Sequence, residues 1–175
     1  MSLHAPPYTV PFDLHRFIEE NREQLQTPPT NVRALWRDTD FVAFLVGGPN
    51  RRLDYHDDPY EELFYQIRGD MHLKIMTEDG PDRIDVREGH VYLLPPHRRH
   101  SPQRPEPGSL GLVVERVRES EAFEWYCEVC HKLLHRAEVA VRDIERDLPP
   151  VFAAFHDSVE RRTCDACGAL HPGKG

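Results

Sequence analysis

Two groups of residues in this sequence have the types and spacing to do chemistry. Cys127-Glu-Val-Cys130 and Cys164-Asp-Ala-Cys167 are two C-x2-C pairs, and each pair presents two thiolates to one ion, the donor set of a closed tetrahedral Zn or Fe site. Disulfides are the competing use of four cysteines, and they belong to oxidising compartments. The chain starts MSLHAPPYTVPF, without a basic segment followed by an apolar one, so it is expected to be cytoplasmic and the cysteines are expected to share one metal. A four-thiolate site leaves no coordination position open. Its expected role is to staple the tail to the rest of the fold, with electron transfer or reactivation of another metal as the sharper alternative.

The second group is His56, Glu62 and His100, in a chain with 11 histidines. Asp54 and His56 share one face of an expected strand, because strand side chains alternate. Glu62 opens the next strand after the turn Asp57-Asp58-Pro59, and Gly69 follows it. Further on, Gly89, Pro95, His97 and His100 recur at short fixed intervals. Taken singly, these are ordinary polar strand residues and surface carboxylates; their joint spacing is what points to metal binding. Glu61 is a rival to Glu62.

The elements that would position these residues read as mostly β. Leu14, Phe17, Ile18 and Leu25 recur at helical spacing behind a capping Asp13, predicting one helix from Asp13 to about Gln26, ended by Pro28-Pro29. Eight short β-branched or aromatic runs follow, at Val32–Trp36, Phe41–Val46, Leu53–His56, Glu62–Ile67, Met71–Met76, Arg83–Val86, His90–Leu94 and Leu110–Glu115. Turn signals such as Gly47-Gly48-Pro49-Asn50 and Glu78-Asp79-Gly80-Pro81 separate them. Eight strands at this spacing predict a double-sheet jelly roll or small barrel. Residues 1–120 are read as the barrel and 121–175 as a four-cysteine segment packed on it, with a strand-like stretch His135–Ile144 and a helix started by Asp147-Leu148-Pro149-Pro150.

The second group resembles the two motifs of the cupin superfamily, G-x5-H-x-H-x(3,4)-E-x6-G and G-x5-P-x-G-x2-H-x3-N. Gly48, His56, Glu62 and Gly69 take the matching places in the first, and Gly89, Pro95 and His100 those in the second. Asp54 stands where the first histidine belongs, His97 at the inner glycine and Arg104 at the asparagine; the interval from His56 to Glu62 is one residue long. Glu62 is preferred over Glu61 by its distance to Gly69. Two histidines and one carboxylate form the set that binds non-haem Fe(II) and leaves positions open for ligands.

The runs VGGPNRRLDYHDDPYEELFYQIRGD and YLLPPHRRHSPQRPEPGS, then LVVER and the late cysteine pairs, closely resemble the 3-hydroxyanthranilate 3,4-dioxygenase family from about Phe12 to Gly173. The resemblance implies ring opening of 3-hydroxyanthranilate by O2 at Fe(II), giving 2-amino-3-carboxymuconate semialdehyde, which closes to quinolinate in the kynurenine pathway or NAD synthesis. It implies that His56, Glu62 and His100 hold the iron, that Arg52, Arg104 and Glu115 contact substrate, and that the cysteine site is a rubredoxin-like iron. The chemistry of the residues agrees. Arg104 can fork onto a substrate carboxylate, Arg52 can assist charge or oxygen positioning, and Glu115, in an otherwise apolar strand, needs a partner such as an arginine or the substrate amine. Asn31 falls one place early in a segment that resembles the family's substrate cleft and is given no role. His131, His135 and His171 are read as solvated. Cupins commonly pair, so a homodimer is expected.

Net charge counts against other functions. At −8 the chain repels phosphate backbones and anionic lipid surfaces. This disfavours nucleic-acid and membrane roles, including that of a cupin sensor whose cysteine knuckles touch nucleic acid. Another cupin enzyme is the remaining alternative.

Overall fold

The computed structural model describes residues 11–27, 31–36, 39–142 and 144–174. The helical run is broken at Asn21 into α1 (Leu14–Glu20) and α2 (Arg22–Leu25), with Asp13 Oδ1 accepting from the Arg16 amide at 2.9 Å as the expected cap. Pro28-Pro29 lie outside the described residues. Among the described residues eleven strands follow: β1 (Val32–Ala34), β2 (Phe41–Gly47), β3 (Asp54–Asp57), β4 (Glu62–Arg68), β5 (Met71–Thr77), β6 (Gly80–Val86), β7 (Val91–Leu94), β8 (His100–Gln103), β9 (Leu110–Arg116), β10 (Glu121–Tyr126) and β11 (Leu133–Val139). Helices α3 (Ile144–His156) and α4 (Val159–Arg162) complete the order.

The strands form two antiparallel sheets, β1-β2-β9-β4-β7 and β11-β10-β3-β8-β5-β6, the two layers of the expected jelly roll. Phe44, Val46, Phe64, Leu73, Ile75, Val86, Leu94 and Val113 fill the space between them. β2 reads as a continuous apolar run because both of its faces are covered: Phe44 and Val46 face the barrel, while Leu45 packs under α1 and α2 with Ile18, Leu25 and Leu110. Gly47 is the seat of α2, since a Cβ there would lie 1.6 Å from the Leu25 carbonyl oxygen.

Eight strands match the sequence pattern; β8, β10 and the outer part of β6 do not. β8 reads HSPQ, without an apolar residue, and is wholly buried. β10 carries Glu121 and Glu124, both buried, which hide its pattern. It pairs with β3 on one side and β11 on the other, setting Phe123 opposite His56. The chain just past residue 120 is thus woven into the sheet that carries His56. β11 ends at Val139, five residues short of the expected stretch, and α3 starts before the two prolines, which sit inside it.

The tail has its own core. Trp125 stacks on Phe155 at 4.7 Å, and Phe123, Leu134, Leu148, Val151 and Phe152 surround the pair. Truncating Phe155 to Ala should therefore cost about 3–5 kcal/mol, the usual cost of removing a fully buried ring. Chemical denaturation checks this, and a loss well under 1 kcal/mol would mean that α3 is not packed on β10 as described.

Candidate metal and substrate site

Cross-strand register assembles the centre. His56 on β3 is directly opposite His100 on β8, with ring centroids 5.2 Å apart. Glu62 comes from β4 in the facing sheet. All three are buried, and one donor atom from each lies within 4.8 Å of the others. Glu62 Oε2 is 2.7 Å from His100 Nε2 and 3.9 Å from His56 Nδ1. At 2.7 Å, Glu62 Oε2 and His100 Nε2 are near enough to bond, yet neither has a properly directed hydrogen-bond partner. Buried polar atoms that converge without satisfying each other fit a cation between them, and two histidines with a carboxylate are a transition-metal set. Glu61 is exposed, so alternation on β4 resolves the rivalry by turning only Glu62 inward.

Glu115 is buried on β9, and continuing the Leu63–Val114 pairing sets it opposite Glu62. Two carboxylates facing each other in a buried space cannot both ionise easily. Burial pushes Glu115 up first and the Glu62 charge adds to it, to about 8. Glu62, also raised by burial, is drawn down overall by His100 and His56. The expected partner of Glu115 is present as Arg118, whose Nη1 donates to Glu115 Oε2 at 2.6 Å.

Arg104 follows β8 on the same face as His100. Its main chain is pinned by Asn50, whose Oδ1 accepts from the Arg104 amide at 2.9 Å. The side chain is 1% exposed, and none of its three nitrogens has a hydrogen-bond partner among the described residues. Burial lowers it to about 10, against the attraction of Glu62 and with the repulsion of Arg52. It lies over Gly111 of β9, where a Cβ would meet Nη2 at 2.5 Å. The glycine makes room for the guanidinium.

Arg52 precedes β3 instead of lying on it. It is paired with Asp54, at 3.1 Å from Nε to Oδ2, and its guanidinium lies 6.0 Å from the Phe152 ring centroid. Burial lowers its pKa, but the charges of Asp54, Glu62 and Glu115 raise it overall. Asp54, at the place of the missing cupin histidine, thus serves Arg52. His97, at the place of the motif glycine, takes a glycine-like φ of 57° and points outward onto Asp57, 3.1 Å away. Asn31 is buried and donates to the Gly47 carbonyl at 2.6 Å, a structural bond; Pro29 and Thr30 lie outside the described residues. Sequence reasoning missed Arg118, Glu121, Asp58 and Asn50, which sit in turns or at strand ends; the one signal was the unpaired Glu115.

The four cysteines also converge. Cys127 Sγ is 3.5 Å from Cys167 Sγ, and Cys130 Sγ is 3.6 Å from Cys164 Sγ. These separations are far beyond a disulfide bond of about 2.05 Å, and the four sulfurs fall within 4.8 Å of one another. Burial raises the Cys127 thiol, but the Cys130 and Val129 amides donate to it and bring it down to about 7. The Cys167 and Ala166 amides lower Cys164 in the same way. This is a metal-binding geometry. His131 is exposed and His135 partly so, but His171 is not solvated as expected: it is buried edge-on against Phe155, and burial pushes it down to about 4, leaving a neutral ring.

Two histidines and a carboxylate converging inside a double-sheet barrel, beside a buried guanidinium without a hydrogen-bond partner among the described residues, define a jelly-roll protein with a candidate metal site. The chain belongs to the 3-hydroxyanthranilic acid dioxygenase family, which it matches over residues 8–156. It is 50% identical over 170 residues to a 3-hydroxyanthranilate 3,4-dioxygenase of Burkholderia cenocepacia, covering 95% of this chain and 96% of that one. The enzyme of the same name from Jannaschia sp. is 52% identical over 166 residues, covering 93% and 92%. Among solved structures, a cupin-2 domain protein from Shewanella frigidimarina is similar with a TM-score of 0.45 and 17% identity, over 56% of this chain and 91% of that one. No helix among the described residues is long and apolar enough to cross a membrane.

His100→Ala should remove one of two metal equivalents per chain and leave the cysteine-bound one. Elemental analysis of the purified variant checks this; two retained equivalents would reject His100 as a ligand.

Proposed function

We propose that this chain opens the ring of 3-hydroxyanthranilate with O2, using Fe(II) held by His56, Glu62 and His100. The product is 2-amino-3-carboxymuconate semialdehyde, the precursor of quinolinate in the kynurenine route to NAD. The observation that carries the reading is Arg104, a fully buried guanidinium with every nitrogen unpaired beside the convergent donors. A buried cation without a counter-ion is costly, and a planar substrate carboxylate supplies the missing partner through a forked pair of hydrogen bonds.

The chain's own residues then orient the substrate. Arg104 takes the carboxylate. Glu115, held by Arg118, offers an acceptor to the amino or hydroxyl group. Arg52, tethered by Asp54 and lying 6.0 Å from the Phe152 ring centroid, adds positive charge at the centre. What Fe(II) supplies when bound is open coordination for the substrate heteroatoms and a path for electron density between ring and oxygen.

We further propose that the four cysteines bind a second Fe, or Zn, as a staple for residues 121–175 on the barrel of residues 1–120. Support comes from β10, which pairs with β3 and leads into the first cysteine pair. The proposed setting is the cytoplasm and the proposed state a homodimer, for which Val91 and Leu93, exposed on the sheet-edge strand β7, offer an apolar surface.

The test is O2 uptake by the Fe(II)-loaded protein with 3-hydroxyanthranilate, followed by product mass. Uptake with a gain of two oxygen atoms supports the reading; an iron-loaded, folded protein that consumes no O2 overturns it. Arg104→Ala should raise KM by roughly 10- to 100-fold, the loss of about 1.5–3 kcal/mol from a charged hydrogen bond. Gly111→Ala should raise KM in the same direction, because the new methyl would lie 2.5 Å from Arg104 Nη2 and 2.8 Å from Gln66 Oε1 and so displaces the guanidinium. An unchanged KM in both variants would remove Arg104 from the carboxylate role.

A further inference from the structure

A buried ion cluster lies against the Nε2 edge of His56. Its hub is Arg118, in the turn between β9 and β10 and 8% exposed. Nη1 donates to Glu115 Oε2 at 2.6 Å and is 3.0 Å from Asp58 Oδ2. Nη2 donates to Glu121 Oε2 at 2.5 Å, and the same oxygen is 2.6 Å from His56 Nε2. Arg118 Nη2 and His56 Nε2 are themselves 3.5 Å apart, the separation of two donors that share one acceptor.

The direction of the His56 bond follows from its partners. Arginine has only hydrogens to offer, and a guanidinium against Glu121 favours its ionised, acceptor-only form, which leaves no proton on it to give to His56. The hydrogen between Glu121 and His56 therefore belongs to His56 Nε2. The ring's lone pair is then on Nδ1, the atom that faces Glu62 Oε2 at 3.9 Å. The ring plane is fixed independently by Phe123, stacked on His56 at 5.0 Å and 10°. Glu121 and Phe123 are two residues apart on β10, on one face of the strand.

From this geometry we infer that Glu121 is a positioning residue for the barrel metal site. It fixes the tautomer and rotation of His56 so that Nδ1 is presented beside Glu62 and His100, and Arg118 holds it there while gripping Glu115 with its other arm. The substrate-side carboxyl and the ligand-side carboxylate are thereby tied to one guanidinium. The inference deepens the proposed metal site and rests on His56, Glu62 and His100 being its ligands. Carboxylates behind ligating histidines raise metal affinity in this way, and their loss weakens binding roughly 10- to 100-fold.

Two measurements test it on the full chain, with the barrel ion removed by a chelator and the cysteine site left loaded. The first is titration with Co(II), read by visible absorption. Glu121→Gln should weaken Co(II) binding at the barrel roughly 10- to 100-fold while the cysteine-bound ion is retained, a change that a merely structural residue would not produce. Unchanged affinity overturns the inference. His100→Ala is the control: if it leaves barrel binding intact, the metal reading itself fails, whereas loss of binding in His100→Ala with unchanged affinity in Glu121→Gln rejects Glu121 alone. The second measurement needs no variant. Long-range proton–nitrogen correlation of the wild-type imidazoles should show His56 protonated on Nε2, and protonation on Nδ1 alone overturns the inference even if Glu121→Gln fails to fold.

Discussion

The structure turns on one constraint: donor atoms from two facing sheets are brought together inside the barrel, and those of Glu62 and His100 that face each other have no directed hydrogen bond. Glu62 Oε2 and His100 Nε2 are 2.7 Å apart without a directed hydrogen bond, and a second carboxyl, Glu115, stands across from Glu62. In a low-dielectric interior such groups are tolerable only when a cation joins them or a proton stays on one of them. The surroundings follow that need. Arg118 compensates Glu115 and Glu121, Asp54 compensates Arg52, and Arg104 is left without a hydrogen-bond partner among the described residues, as the proposed substrate carboxylate requires.

The framework supplies this arrangement by register. Antiparallel pairing of β3 with β8 sets His56 against His100, and the Gln66–Gly111 pairing of β4 with β9 opens the space into which Arg104 reaches. β10 joins the two halves of the chain. It pairs with β3, stacks Phe123 on His56, and continues into the first cysteine pair. The cysteine cluster and the His56 side of the barrel are therefore linked through one strand.

Much of this was legible in the sequence. Gly69 and Gly89 take positive φ values of 64° and 78°, turn conformations that favour glycine, and these glycines helped to align the motifs around His56, Glu62 and His100. The two C-x2-C pairs were equally plain, because a pair of thiolates on one loop has few other uses. Three features were not readable. β8 has no apolar residue and β10 hides two buried glutamates, so neither shows the alternation of a half-buried strand. Arg118, Glu121 and Asp58 are scattered over turns and strand ends, and only folding makes them one cluster. His171 looked like a surface residue of the tail because nothing in its neighbourhood announces Phe155, sixteen positions earlier, as its cover.

The central claim is that the chain carries two distinct metal sites, an open one in the barrel that meets the substrate and a closed one at the cysteines that does not. X-ray absorption on the anaerobic iron-loaded protein, with and without 3-hydroxyanthranilate, tests it most directly. The account predicts one iron with nitrogen and oxygen neighbours whose spectrum changes on adding substrate, and one ion with four sulfurs whose spectrum does not. A single sulfur-bound ion, or a nitrogen and oxygen site indifferent to the substrate, would contradict it.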